Sequence, residues 1–122
     1  MSEAANDWER RVTECWAGAE GMPASELVRA IDRLAVERPD DDPAALFERA
    51  SARDTAGLES DAEPLYRMAL SSRRLDAQRR PRAIIQLAST LRWLGMLDES
   101  EQLLREELDR WRPFNRPRCH AG

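Results

Sequence analysis

The sequence contains no lysine, one histidine and two cysteines, and no stretch of it approaches the ~20 consecutive apolar residues that a membrane-crossing helix needs. The first fifteen residues are acidic and polar, whereas a secretory signal has a basic start followed by an apolar run. These absences predict a cytoplasmic protein that does not enter a membrane. All 19 basic residues are arginine, which reflects either a GC-rich coding sequence or selection for the fork-shaped hydrogen bonding of the guanidinium group.

The few residues suited to metal binding or nucleophilic catalysis are poorly placed for either. Cys15 and Cys119 lie near opposite ends of the chain, which predicts free thiols rather than a disulfide scaffold. His120 follows Cys119, but a zinc site needs three or four ligands at defined spacing and a cysteine nucleophile needs a positioned base. Glycine-rich phosphate loops and the G-x-S-x-G and H-E-x-x-H motifs are absent. We therefore expect no catalysis, no metal and no cofactor.

Glycine and proline are also scarce, with five and seven residues among 122, while 42% of the residues are apolar and 34% are charged. This composition is typical of a helix-rich folded chain, and the length fits a single domain. The formal charge of −4 argues against nucleic acid as the main partner.

Apolar side chains recur at helical spacing in six segments, and no window shows the alternation typical of a strand. The first two segments form an N-terminal hairpin over residues 4–38. Asp42 caps a third helix that starts at Pro43 and ends before Gly57, which supplies a left-handed turn. Ser60 then opens a fourth helix as part of an S-x-x-E capping box.

The fifth helix contains a proline, Pro81, which would delete a hydrogen bond in a helix interior. The helix therefore starts near Arg79, or its first turn is distorted. The sixth helix runs to Pro113, and residues 113–122 are expected to be an irregular tail after a single helical domain over residues 1–112.

The chain repeats itself at an offset of 38 positions, which aligns Gly57 with Gly95 and Leu70 with Leu108. The order helix, glycine turn, helix therefore occurs twice, in units spanning residues 43–73 and 76–112. Helix pairs that repeat every ~33 to 47 residues are typical of helical solenoids.

Two stretches, AALFERASARDTAGLESDAEPLYRMAL and RAIIQLASTLRWLGMLDESEQLLREEL, resemble consecutive tetratricopeptide repeats. Ala62, Tyr66 and Ala69 match the small, aromatic and small positions of the second helix, and Gly57 precedes them as the family expects. In the second unit Ser100 matches, while Leu104 replaces the aromatic residue. The chain is similar to a poorly characterised bacterial subfamily whose members commonly continue with further helices, and it is expected to be a form truncated at the C-terminus.

The resemblance implies an all-α fold, in which antiparallel hairpins stack as a short right-handed solenoid of about six helices. It also implies a non-catalytic adaptor that holds a peptide or a partner protein against its concave helix face. The candidate residues on the first helices of the two units are Phe47, Glu48, Ser51, Asp54, Arg82, Gln86, Ser89, Arg92 and Trp93. In one interpretation the arginines grip a carboxylate of the ligand. In the other this face is solvated, and Arg92 pairs with Asp54 or Glu48.

The sixth helix would expose an apolar stripe at the end of such a stack, since about three units are usually needed for stability and the last one should be polar outside. We therefore expect a homodimer formed through Leu103, Leu104, Leu108 and Trp111.

Two other functions stay open. One is an accessory or regulatory domain that binds a small anion through Arg82, Arg92 and Asp54. The other is RNA binding through an arginine run that is otherwise a solvated loop and consists of Arg73, Arg74, Arg79, Arg80 and Arg82.

Overall fold

The computed structural model describes the backbone of residues 3–115 and the side chains of residues 3–110. Six α-helices follow one another, and a short 3₁₀ turn, Ala19–Gly21, separates the first two. They are α1 Glu3–Ala17, α2 Ala24–Ala35, α3 Pro43–Thr55, α4 Glu59–Leu70, α5 Arg79–Trp93 and α6 Leu97–Asn115. No strand occurs between residues 3 and 115, so the all-helical fold and the six predicted helices are confirmed. None of these helices combines the length and hydropathy of a membrane span.

The two glycine turns are built in the same way. Gly57 has φ +78° after α3, and Gly95 has φ +83° after α5, a region that residues with a Cβ adopt only under strain. Behind Gly57, the Leu58 N–H donates to the Arg53 carbonyl at 2.8 Å, which is the long bond of a Schellman turn. An equivalent 2.8 Å bond, displaced by 38 positions, closes the turn at Gly95. The left-handed turn predicted at Gly57 is therefore present, the same turn forms at Gly95, and the repeat is visible in the backbone.

Helices α3 and α5 each begin shortly after an aspartate and carry a proline in the first turn. The Asp42 carboxylate accepts a backbone N–H of the first turn at 3.0 Å, and Pro43 is the first residue of α3, as predicted. Asp76 likewise accepts the N–H of Arg79 at 3.0 Å, where α5 begins. Pro81 therefore lies in the first turn of α5, where its missing N–H would have no partner within the helix.

Two predicted helix ends are wrong. The capping box of Ser60 and Glu63 does not form, because α4 begins at Glu59 directly after the glycine turn and places both residues inside the helix. Glu63 pairs instead with Arg67, one turn further along. Helix α6 continues past Pro113 to Asn115, the last residue whose backbone the structure describes.

The hydrophobic core is largest between α3, α4 and α5, where Phe47, Tyr66 and Leu91 are fully buried. The N-terminal hairpin joins it on the other side of α3, where Trp8 packs near Ala44. Successive helices pack as hairpins, and each hairpin shares buried surface with the next. Residues 3–115 therefore form a short solenoid of three stacked helix pairs.

Candidate functional site

The first helices of the three hairpins, α1, α3 and α5, surround an open cleft of about 720 Å³. We call it the α1–α3–α5 cleft. Helix α1 supplies both polar and apolar side chains to the lining, α3 supplies Glu48, and the start of α5 with the residues just before it supplies the rest. Its principal lining residues are Glu9, Thr13, Trp16, Glu48, Arg79 and Arg82.

Arg79 is the buried centre of this cleft. Its Nε–H donates to Glu48 at 2.8 Å, and its terminal nitrogens donate to the two carboxylate oxygens of Glu9 at 2.7 and 2.9 Å. A further bond of 3.1 Å reaches Asp76, which precedes α5. One guanidinium group therefore connects residues from α1, α3 and α5.

The surroundings of Arg79 keep it charged. Burial alone would lower the pKa of its guanidinium group, but the hydrogen bond to Glu9 and the charge of Glu48 outweigh burial and raise the pKa. A buried charge is tolerated when its hydrogen bonds are satisfied, and here carboxylates receive them. The buried part of the cleft is consequently held by charged hydrogen bonds around Arg79.

Trp16 attaches the N-terminal hairpin to this centre, and Trp8 holds the two helices of that hairpin together. The indole N–H of Trp16 donates to Glu48 at 2.7 Å, and that of Trp8 donates to the Leu34 carbonyl at 2.7 Å. The guanidinium group of Arg38 lies 4.1 Å from the centre of the Trp8 ring, a cation–π contact. Glu9 and Trp16 were not among the candidates from the sequence. The sequence feature that could have indicated Glu9 and Trp16 is Glu48, because an acid on the buried face of α3 requires partners from neighbouring helices.

The structure buries three of the predicted α3 site residues, Phe47, Glu48 and Ser51. The Phe47 ring packs against Tyr66, with ring centroids 6.0 Å apart, and Arg82 lies over it at 5.1 Å. Phe47 and Ser51 are therefore covered by the neighbouring helices, and of the three only Glu48 lines the cleft.

Two more predicted residues, Asp54 and Gln86, take part in an internal polar contact around Tyr66. The Tyr66 hydroxyl donates to the Asp54 carboxylate at 3.0 Å and also contacts the Gln86 amide, and the Ser51 hydroxyl donates to Gln86 at 3.1 Å. Burial raises the pKa of Tyr66, and it also raises the pKa of Asp54 against the lowering effect of the Tyr66 bond. This contact holds α3, α4 and α5 together.

The remaining predicted residues of α5, Ser89, Arg92 and Trp93, are exposed and do not line the cleft. Trp93 borders a shallow depression of about 250 Å³ beside Leu58, at the edge where the two glycine turns lie. Within the described residues no ion pair involves Arg92, and its predicted partner Glu48 binds Arg79 instead.

The arginine run does not form one basic patch. Arg79 is buried in the cleft, Arg80 donates to the Leu70 carbonyl at 3.5 Å, and the exposed Arg74 lies 3.9 Å from Asp41. Its members therefore serve different parts of the fold.

The predicted interface residues on α6 are divided between core and surface. Leu103 is half-buried and packs on the main core, while Leu104 and Leu108 are exposed. The side chain of Trp111 is not described, and Cys119 and His120 lie outside the described residues.

Comparison with known proteins places this geometry in a wider context. A family model described as tetratrico peptide repeat matches residues 43–115, which covers α3 to α6. Neither a curated protein nor a solved structure matches the chain significantly.

Proposed function

Since the chain belongs to the tetratricopeptide repeat family, whose helical repeats serve as protein-interaction modules, we propose that it holds a segment of a partner polypeptide in the α1–α3–α5 cleft. The family is generally non-catalytic scaffolding, and the proposal requires no chemistry at the cleft. The partner would be recognised by shape and charge alone.

The observation that carries this proposal is the cleft itself, an open concavity of about 720 Å³ whose polar groups are already in place. Binding sites of roughly 300–1,000 Å³ are usual for ligands of moderate size. Because Arg79, Glu48 and Trp16 are held by mutual hydrogen bonds, little side-chain entropy is lost when a partner binds.

The charges in the cleft favour a partner segment with a basic side chain. Three carboxylates, from Glu9, Glu48 and Asp76, face two arginines, Arg79 and Arg82. The guanidinium group of Arg79 is occupied by the carboxylates, while the side chains of Glu9 and Asp76 remain partly exposed with lone pairs to spare. An incoming lysine or arginine would balance the excess negative charge. This differs from the sequence-based interpretation, in which arginines grip an acidic ligand.

The alternative of a small anion held by Arg82, Arg92 and Asp54 receives less support. Asp54 accepts a hydrogen bond from Tyr66 inside the stack, and Arg92 does not line the cleft. The three groups therefore face different surroundings.

The proposal is tested by selecting peptides from a random library on the immobilised protein and measuring the affinity of the selected peptides for two variants. Thr13 is exposed at the cleft, so Thr13→Trp should obstruct it without disturbing the core. The neighbouring Glu14 is exposed outside the cleft, so Glu14→Trp is the matched control.

We expect selected peptides rich in lysine and arginine, at least a roughly tenfold loss of affinity for Thr13→Trp, and no comparable loss for Glu14→Trp. Circular dichroism should show the same helix content in all three proteins. Selected peptides that bind Thr13→Trp as tightly as the wild type would contradict the assignment of the cleft.

A further inference from the structure

The two repeated units differ in how far a neighbouring hairpin covers their side chains. The difference appears when the burial of residues 38 positions apart is compared. Residues that pack inside each hairpin are buried in both units: Leu46 and Ile84, Ala50 and Ala88, and Ala62 and Ser100. The Ser100 hydroxyl donates to the Ala88 carbonyl at 2.7 Å, which ties α6 to α5 inside the second hairpin. The interior of the two units is therefore equivalent.

Positions that face the next unit are not equivalent. Phe47 is 0% exposed but its counterpart Ile85 is 62% exposed, and Tyr66 is 0% exposed but its counterpart Leu104 is 42% exposed. In the first unit, α5 lies over these positions through contacts such as that of Arg82 with Phe47. In the second unit, no described element takes the place of α5.

The ion pairs show the same difference. Arg67 on α4 pairs with Glu63 of its own helix and also with Glu99 on α6 of the following unit. Its counterpart Arg105 pairs with Glu101 of its own helix at 2.6 Å, and its side chain is exposed. No carboxylate from another hairpin in the described part of the chain reaches Arg105.

We propose that this surface, which we call the open face, binds a second copy of the same chain. The open face comprises an exposed stripe of α5 and an exposed stripe of α6, consisting of Ile85, Ser89 and Arg92 and of Leu97, Leu104 and Leu108. It combines exposed apolar side chains with charges of both signs, as protein interfaces usually do.

The opposite end of the stack decides how the two copies meet. The outward side of α1 carries Asp7, Arg10 and Glu14 in exposed ion pairs, and it has no apolar stripe that could take the place of α5. A head-to-tail stack of copies is therefore disfavoured, and contact between two open faces about a two-fold axis remains.

Charge complementarity supports this arrangement. If two α6 helices pack antiparallel around an axis that passes between Glu101 and Arg105, Glu101 meets the partner's Arg105, and the same contact forms twice. Glu101 of each copy thereby binds Arg105 of the other, just as Glu99 binds Arg67 within one chain. Leu104 follows Glu101 by three positions, so it flanks this contact on the same side of the helix and becomes buried beside it.

Light scattering coupled to size-exclusion chromatography, over a series of protein concentrations, tests the proposal. The wild type should approach twice the chain mass of 14.0 kDa as the concentration rises. Leu104→Glu should weaken self-association on the order of a hundredfold, since the side chain is lost from both copies. Val36→Glu, the same kind of change at an exposed residue on the N-terminal hairpin, should leave it unchanged.

Charge reversal tests the two-fold contact itself. Glu101→Arg and Arg105→Glu should each weaken self-association, whereas the double variant should restore it, with equal helix content confirmed by circular dichroism. A wild type that stays monomeric at millimolar concentration would overturn the proposal. Self-association that survives Leu104→Glu, or a double variant as weak as the single ones, would also overturn it.

Discussion

Arg79 on α5 and Glu48 on α3 form an ion pair of 2.8 Å whose side chains are only 9% and 5% exposed. The pair lies at the bottom of the proposed binding cleft and also joins neighbouring hairpins. It therefore links the stability of the stack to the geometry of the cleft.

The first prediction concerns this pair. Arg79→Ala leaves Glu48 buried without a counter-charge, so the free energy of unfolding should fall by about 3–5 kcal/mol. Arg105→Ala, which removes an arginine from an exposed pair on α6, should change it by less than ~1 kcal/mol at concentrations where the protein is monomeric. Urea denaturation followed by circular dichroism measures both values. Equal decreases in the free energy of unfolding of the two variants would show that the buried pair stabilises the fold no more than the exposed one.

The second prediction compares Gly57 and Gly95, which share a positive φ, with Gly21, whose φ is not positive. Gly57→Ala and Gly95→Ala should each cost about 1–2 kcal/mol, because their φ is positive, although an added Cβ would meet no atom within 4 Å at either position. Gly21→Ala, where a Cβ also has open space but φ is not positive, should cost nothing or stabilise slightly. Thermal or urea unfolding separates these cases, and a similar effect at all three glycines would argue against the backbone explanation.

The third prediction uses two positions related by the repeat. Tyr66→Ala should cost about 3–5 kcal/mol, because it opens a cavity in the core and removes the hydroxyl group that binds Asp54. Leu104→Ala, at the equivalent but exposed position, should cost less than ~1.5 kcal/mol at concentrations where the protein is monomeric. Urea unfolding at low protein concentration is the measurement. Comparable losses would mean that Leu104 is covered within a single chain.

The fourth prediction concerns pH. Burial raises the pKa of Asp54 above its ordinary value of 3.8, so the folded chain keeps this proton longer than the unfolded chain does. As the pH rises from below 3.8 through the folded pKa, this carboxyl group progressively lowers the free energy of unfolding, and above the folded pKa its full cost is present.

Asp54→Asn keeps an acceptor for the Tyr66 hydroxyl but does not titrate. The variant should therefore gain stability relative to the wild type as the pH rises through that interval. Urea unfolding between acidic and neutral pH gives the difference, and NMR titration of Asp54 gives its pKa. A difference that does not vary with pH would contradict the prediction.

The helical framework could be predicted because its signals are local. Gly57, Gly95 and the Asp42–Pro43 pair act on the backbone within one turn, and each has the predicted effect in the structure. The predicted capping box of Ser60 and Glu63 does not form for an equally local reason, because α4 begins at Glu59, directly after the glycine turn.

The cleft could be predicted only in part, because it depends on which helix covers which. Phe47 and Ser51 share helix positions with Ile85 and Ser89, yet the first two are buried by α5 and the second two are exposed. Helical periodicity is the same in both units and contains no information about a neighbour. Glu9 was missed for the same reason, since its contact with Arg79 spans 70 positions of the sequence.

That long-range contact has a consequence for how the protein unfolds. In most helical repeat proteins each unit touches only the adjacent one, so the end units can fray independently. Here Glu9, in the first hairpin, binds Arg79, in the third. Loss of either terminal hairpin would break this contact and expose a buried guanidinium group or its carboxylates, which makes partial unfolding unfavourable. We therefore expect the three hairpins to unfold as one cooperative unit.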